Sequence, residues 1–536
     1  MTAPGPGTPE RPGKPARFAA PLEEASRLLG SAPDLEPMRA LLQARLERLD
    51  ARLRVAVVGR VCQGKSTLVN ALIGERLTPT GTLELSFSVN HLRYGTDPGL
   101  TVHFTDPTRP PLPTSLADLE KFAARREDNA DLLRSIEYLD VVSDRPYLAG
   151  FDLIDTAGLD SPWIEDSAKT LDFLKKSRDQ VAAATLEATT SADALLVVMG
   201  RGGQSQTDDE MLRAFLGPRT GAASPVTTIG VLTKVEEMWR DHPDPFVGAR
   251  MLRDDMFRSP AVRAVLFEIQ PVCGRLAETA AGLDEADLED IRTLAKVSAE
   301  DLERSVKSAA VFQRTDRGLP LDPARRDALR GRFTPFGLMT ACCLIRDGVG
   351  TVDELRTRLE EVSGIRVLRD RLTDHFAHRS HLIKARITGE ALRRQARGLR
   401  AGLTAPDAEA LDTALETVET ALRDEPGLDE LDLLQRLVSG ELRLGPDDRE
   451  DVLHLVGEYG RSAAARLRLA DTAAPADLAA RARDLHDRWL GHLNAGRYRG
   501  SAHVVVARCA NLLRAVAAAR ALLEDPDSAD SRRRLR

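Results

Sequence analysis

Cysteine is scarce in this sequence: 5 residues among 536, at Cys62, Cys273, Cys342, Cys343 and Cys509. Their spacing is not that of a zinc site. An odd number suits free thiols in a reducing compartment better than a disulfide framework, so the cytoplasm is the expected location. Long apolar runs are missing as well. The most apolar stretch of note, "FGLMTACCLI" from Phe336 to Ile345, has about half the length of a bilayer span, which leaves only peripheral contact with a membrane. Basic charge is short, since 75 Lys and Arg face 82 Asp and Glu for a net charge of -7. No overall basic field is available to release counterions from a polyanion, and this argues against nucleic acid as the main partner. Residues 1 to 15 lack the apolar core of a secretory signal; five prolines and three glycines stand there instead and predict a disordered leader. There is no exact internal repeat.

What is present starts with length: 536 residues exceed what one core supports and predict two or three domains. The most informative stretch is "VAVVGRVCQGKSTLVNALIG", Val55 to Gly74. A β-branched run is followed by a loop with Gly59 and Gly64 at its ends, and Lys65-Ser66-Thr67 then opens an apolar helical pattern. The spacing G-x-x-x-x-G-K-S has a mechanical basis: the loop wraps a β-phosphate with its backbone N–H groups while the helix N-terminus adds the positive end of its dipole. Gly59, Cys62, Gln63, Gly64 and Thr67 are therefore expected to line the nucleotide. Lys65 is expected on the β- and γ-phosphates and the Ser66 hydroxyl on Mg²⁺.

A phosphate loop alone does not separate GTPases from kinases or ATPases. "FDLIDTAGL" places Asp155 at the end of an apolar strand, where it can hold Mg²⁺ through water, with Gly158 positioned to offer its N–H to a γ-phosphate. "GVLTKVEEMW" supplies a base reader, Thr233-Lys234-Val235-Glu236. The Lys234 stem can lie over a purine, and the Glu236 carboxylate can accept from the ring N–H and exocyclic amine of guanine, donors that adenine does not present there.

With these motifs in this order the chain resembles the dynamin superfamily, above all the bacterial dynamin-like GTPases. The resemblance is carried by "QGKSTLVNALIG", by "LTPTGTLELSFSVNHLRYG" (Leu77 to Gly95), by "DTAGL" and by "LTKVEEMW". It implies a GTPase that uses GTP, GDP and Mg²⁺. The second stretch corresponds to the family's switch segment, where Ser86 stands in place of the threonine that closes over Mg²⁺, with Glu84 and Leu85 before it. Where the family has Asp as base reader, this chain has Glu236. Leu159 follows Gly158 and cannot orient the attacking water, and the loop positions that do so in animal dynamins hold Val61 and Cys62. Arg60, the cation in the loop before Lys65, is then a candidate catalytic group, within its own site or across a head-to-head dimer. The family also implies GTP-dependent self-association, and it leaves anionic lipid on the inner face of the cell membrane and a protein partner on the helical half both open. A soluble regulatory GTPase and a nucleotide-binding scaffold without turnover are the rival readings.

The expected architecture is an α/β P-loop GTPase domain, with a doubly wound, mostly parallel sheet, followed by an α-helical neck and stalk. In residue terms this is a leader at 1–15, a helical arm at 16–53, the GTPase domain at 54–283, a helical bundle at 284–524 and a basic tail at 525–536. The arm is expected to pack with helices of the C-terminal half, because neither apolar face can be left in water. The longest uninterrupted helical pattern runs from about Gly364 to Leu403. On it His375, His378 and His381 fall at i, i+3 and i+6, but their directions spread over about 120°, which fits a polar helix face better than a metal site. The tail "SRRRLR" carries four arginines without an apolar partner and is expected to be solvated.

Overall fold

The computed structural model describes residues 16–60, 62–78, 89–123, 129, 132–133, 135–156, 191–200, 224–315, 318–498 and 501–524. The leader, the tail, Val61, Ser86 and Gly158 lie outside them. The chain groups into two compact units, one made of residues 44–391 and the other of residues 16–43 with 392–536.

Helices α1 (Ala16–Leu28) and α2 (Glu36–Leu49) precede β1 (Leu53–Gly59), and α3 (Lys65–Ile73) follows the loop. The strands β2 (Val89–Tyr94), β3 (Gly99–Phe104), β4 (Leu112–Thr114), β5 (Ile136–Ser143), β6 (Phe151–Asp155), β7 (Ala194–Met199), β8 (Thr228–Leu232) and β9 (Ile269–Pro271) complete one nine-stranded sheet, in the order β4-β3-β5-β2-β6-β1-β7-β8-β9. β6, β1, β7, β8 and β9 are mutually parallel. Central strands buried on both faces read as continuous apolar runs, and β7, "ALLVVM", is buried at every residue. The pairings β2 to β6, β3 to β5 and β3 to β4 are antiparallel. β2, β4 and β5 were not legible as strands in the sequence; β5, "IEYLDVVS", is half-polar because one of its faces carries Tyr138 and Asp140.

Register decides where the motifs meet. Val57 of β1 pairs with Asp155, Gly59 with Val198, and Met199 of β7 with Leu232. The carboxyl ends of β1, β6, β7 and β8 therefore finish side by side, and the loop after β1, the Asp155 turn and Thr233 to Glu236 all leave the sheet on the same edge, where ligands of open α/β sheets bind. The antiparallel strand β2 adds Asn90 opposite Asp155.

Helices α4 (Gly274–Ala281), α5 (Val352–Ser363), α6 (Ile365–Arg371) and the first half of α7 (Ser380–Leu399) belong to the same unit. α4 packs on α3 and on α5. The run "FGLMTACCLI" sits in the helix Pro323–Arg346, where Leu338, Ala341 and Cys342 are buried in an apolar cluster and burial pushes the Cys342 thiol up to about 12. The expected long helix from Gly364 is helical along its length, but a π-turn at Leu372–Phe376 and a 3-10 turn at Ala377–Arg379 separate α6 from α7. His375 lies in that π-turn, buried, with Nε2 3.0 Å from the Val226 carbonyl and its ring stacked on Phe267.

In the second unit α1 packs along α8 (Ala405–Arg423). Phe18, Leu22, Ala25 and Leu29 are buried on one side, and Leu411, Ala414, Val418 and Leu422 on the other, both sets at the three-and-four spacing of a helix stripe. α9 (Pro475–Asn494) and α10 (Ala502–Glu524) form an antiparallel pair. Buried Asp451 ties this unit together by accepting from Arg468, Arg481 and Arg488. Among the described residues no helix is long and apolar enough to cross a membrane.

Candidate functional site

Gly59 is required by the sheet, since a Cβ there would lie 2.6 Å from the Val198 carbonyl oxygen. The loop beyond it turns through left-handed backbone at Cys62 (φ 61°) and Gly64 (φ 87°) before α3 begins. Two side chains hold this turn. Gln63 Oε1 accepts from the Arg60 N–H at 3.0 Å, and Thr233 Oγ1 lies 2.6 Å from the Gln63 carbonyl and 3.1 Å from that of Met199. Thr233 thus joins the phosphate loop to the ends of β7 and β8. Thr67 is turned toward the start of α4, where a Cβ on Gly274 would be 3.7 Å from its methyl.

Lys65 is buried at 7 % exposure and donates to the Arg60 carbonyl at 3.0 Å. Burial lowers its pKa to about 8, against the pull of the Asp155 carboxylate. Asp155 has no exposed surface. Its Oδ2 accepts from Ser66 Oγ at 3.1 Å and from Asn90 Nδ2 at 3.5 Å, while Oδ1 is buried with no hydrogen-bond partner among the described residues. Burial raises its pKa to about 6, with Lys65, Ser66 and Asn90 opposing. A hydroxyl and a buried carboxylate with a vacant oxygen are hard donors of the type Mg²⁺ prefers, so this pair fits that ion. The structure thus brings Lys65, Ser66 and Asp155 together, from α3 and β6, beside the loop that carries Arg60, Cys62, Gln63 and Gly64.

On the base-reading side, Lys234 adopts left-handed backbone (φ 57°) and starts the 3-10 turn Val235–Arg240. The Glu236 side chain is turned into the protein. It lies beside the Cys273 thiol, its Oε2 is buried with no hydrogen-bond partner among the described residues, and burial raises its pKa. Cys273 is itself fully buried, with its N–H on the Ser363 carbonyl at 2.8 Å.

Sequence reasoning placed a base-capping loop at Cys273-Gly274 without foreseeing the contact of Cys273 with Glu236, and it missed Asn90 and a second amide. Asn70 Oδ1 accepts from Leu77 N–H and Thr78 N–H, Asn70 Nδ2 donates to the Thr78 carbonyl and to Glu278, and Thr78 Oγ1 donates to the Ser66 carbonyl. A signal for Asn70 exists, because it is a polar residue inside the otherwise apolar run "LVNALI" and is fully buried.

Residues 55–235 match the family model described as "Dynamin family". The chain is similar to the isoniazid-induced protein IniC of Mycobacterium tuberculosis, 28% identical over 79% of this chain and 82% of that protein. It is also similar to dynamin-like protein 2 of Campylobacter jejuni, 31% identical over 24% of this chain and 20% of that one. A solved structure of an oligomerised bacterial dynamin pair aligns with 94% of this chain and 91% of its own at 14% identity, with a TM-score of 0.31.

Proposed function

We propose, because the chain belongs to the dynamin superfamily, that it binds and hydrolyses GTP at the edge of the sheet where β1, β6, β7 and β8 end. The observation that supports this reading best is the Ser66 to Asp155 hydrogen bond at 3.1 Å, next to the buried Lys65 ammonium and a vacant Asp155 oxygen. Lys65 would neutralise phosphate charge. Ser66 and Asp155, with Ser86, would hold Mg²⁺, which would supply Lewis-acid stabilisation of the phosphate charge. Lys234 would lie over the base, Glu236 would read it by turning outward from Cys273, and Gly158 would meet the γ-phosphate. Turnover is slow in dilute protein and rises when two heads associate, with Arg60 completing the site. Peripheral association with anionic lipid at the cytoplasmic face is part of this proposal, with a protein partner on the helical half as the alternative.

The test is phosphate release from GTP and from ATP over a range of protein concentration, with Lys65→Ala as control, followed by co-sedimentation with anionic liposomes with and without a non-hydrolysable GTP analogue. GTP-selective release that is lost in a folded Lys65→Ala variant supports the reading. Equal use of ATP, or full activity in the variant, refutes it. Nucleotide binding without sedimentation points to a protein partner on the helical half.

A further inference from the structure

We propose that Arg369 is a positioning residue for the nucleotide site, acting through α3 from the end opposite the phosphates. This rests on the reading that α3 opens that site. α3 has only nine residues, about 13 Å of helix. Lys65 and Ser66 sit in its first turn, and the carbonyls that end it need partners from outside the helix. The Asn70 carbonyl is taken by the N–H groups of Gly74 at 2.8 Å and Glu75 at 3.3 Å. The next two carbonyls receive one side chain: Arg369 donates from Nη2 to Ala71 O at 2.6 Å and from Nε to Leu72 O at 3.0 Å. A planar fork of N–H donors matches two successive carbonyls, and its charge faces the negative end of the helix dipole.

The guanidinium is itself fixed. Its Nη1 donates to Glu360 Oε1 at 3.1 Å, and its carbon lies 5.8 Å from the centre of the Tyr147 ring. Gly74 turns the chain away beneath it in left-handed backbone (φ 79°), and a Cβ there would come within 3.4 Å of Nη2. Arg369 thus sets where α3 stands along its own axis, and so where Ser66 and Lys65 stand relative to Asp155. It does so from α6, 297 residues beyond Leu72 and outside the span that matches the family model.

The test uses the full chain and measures binding of fluorescent GDP and of a fluorescent non-hydrolysable GTP analogue, both with Mg²⁺, together with steady-state GTP hydrolysis. Arg369→Gln is expected to weaken both affinities and raise KM by about tenfold, with kcat changed by less than about twofold. The rise in unfolding midpoint on adding nucleotide should shrink in step. Arg366→Gln, on the exposed side of the same helix and paired with Glu361, should bind as the parent does. A merely structural role for Arg369 would lower the midpoint of the nucleotide-free protein and leave affinity alone, and wild-type affinity in Arg369→Gln overturns the proposal. Should that variant not fold, Arg369→Lys decides, since it keeps the charge and loses the fork. It is expected to bind about threefold more weakly, and parental affinity there is equally fatal. Failure of the unsubstituted protein to bind either nucleotide would overturn the GTPase reading, and this one with it.

Discussion

Asp155→Asn separates what the site costs the empty protein from what it does for the nucleotide. The chain buries this carboxylate completely, with Ser66 and Asn90 on one oxygen and, among the described residues, no hydrogen-bond partner on the other. Burial takes its pKa from 3.8 to about 6. At about 1.4 kcal/mol per pH unit, ionised Asp155 therefore costs the nucleotide-free fold about 3 kcal/mol. The sign follows from the raised value: the folded state holds the proton more tightly than the unfolded chain does. The contribution is fully present below pH 3.8 and is lost as the pH rises through about 6. Asparagine keeps the shape and has no proton to lose. The Lys65 counter-charge is already contained in the raised Asp155 value, but the amide puts a buried N–H donor where an acceptor stood, facing an ammonium whose own pKa burial has brought from 10.5 to about 8, so part of the gain is returned. Nucleotide-free Asp155→Asn should exceed the parent by about 1–2 kcal/mol near neutral pH, a rise of about 2–4 °C in midpoint, and the gain should vanish by about pH 4. Thermal unfolding in chelator across that range measures it, and a titration with nucleotide and Mg²⁺ should show the affinity lost. An unchanged or lower midpoint at neutral pH, or a gain that does not shrink on acidification, would refute the reasoning.

Glu236→Asp should hold or sharpen the preference for GTP over ATP and Glu236→Ala should erase it; a competition titration decides, and a parent that binds both equally removes the base reader. Arg60→Ala should abolish the rise of GTP turnover with protein concentration while leaving GTP binding intact. Since arginines supplied across such interfaces act at about 10³ to 10⁵-fold in rate, turnover independent of concentration would sink that assignment. Leu22→Ala on α1 should destabilise the unit of residues 16–43 and 392–536 by about 2–5 kcal/mol, seen as an earlier unfolding transition with unchanged nucleotide affinity. A midpoint identical to the parent's would mean the α1 stripe is not part of that core.

Local spacing made part of this molecule readable. Gly59, Gly64, Lys65 and Ser66 are close in sequence, and Asp155 and Thr233 each end an apolar strand, so parallel pairing brings them together once the sheet forms. The predominantly apolar strands β1, β6, β7 and β8 announced themselves for the same reason. β2 and β5 did not, because their polar faces break the pattern. Partners far apart in the chain were invisible: Arg369 on Ala71 and Leu72, Cys273 on Glu236, and Lys384 reaching the carbonyls of Leu49 and Ala51. Nothing in "LRDRL" marks Arg369 among its neighbours. The π-turn was hidden too, since an extra residue in one helical turn leaves the apolar spacing almost intact while His375 is carried inward to Val226.

The packing of α1 on α8 makes the order of synthesis matter. About 380 residues separate the end of α1 from the start of α8, so at about 5–20 residues per second a nascent chain exposes Phe18, Leu22 and Ala25 for roughly 20–80 s before their partner emerges from the ribosome. The whole unit of residues 44–391 is translated in that interval and can complete its sheet first. A ribosome-bound chain halted before residue 405 would therefore present a folded nucleotide unit behind a bare apolar helix, a natural client for a chaperone that binds short hydrophobic segments.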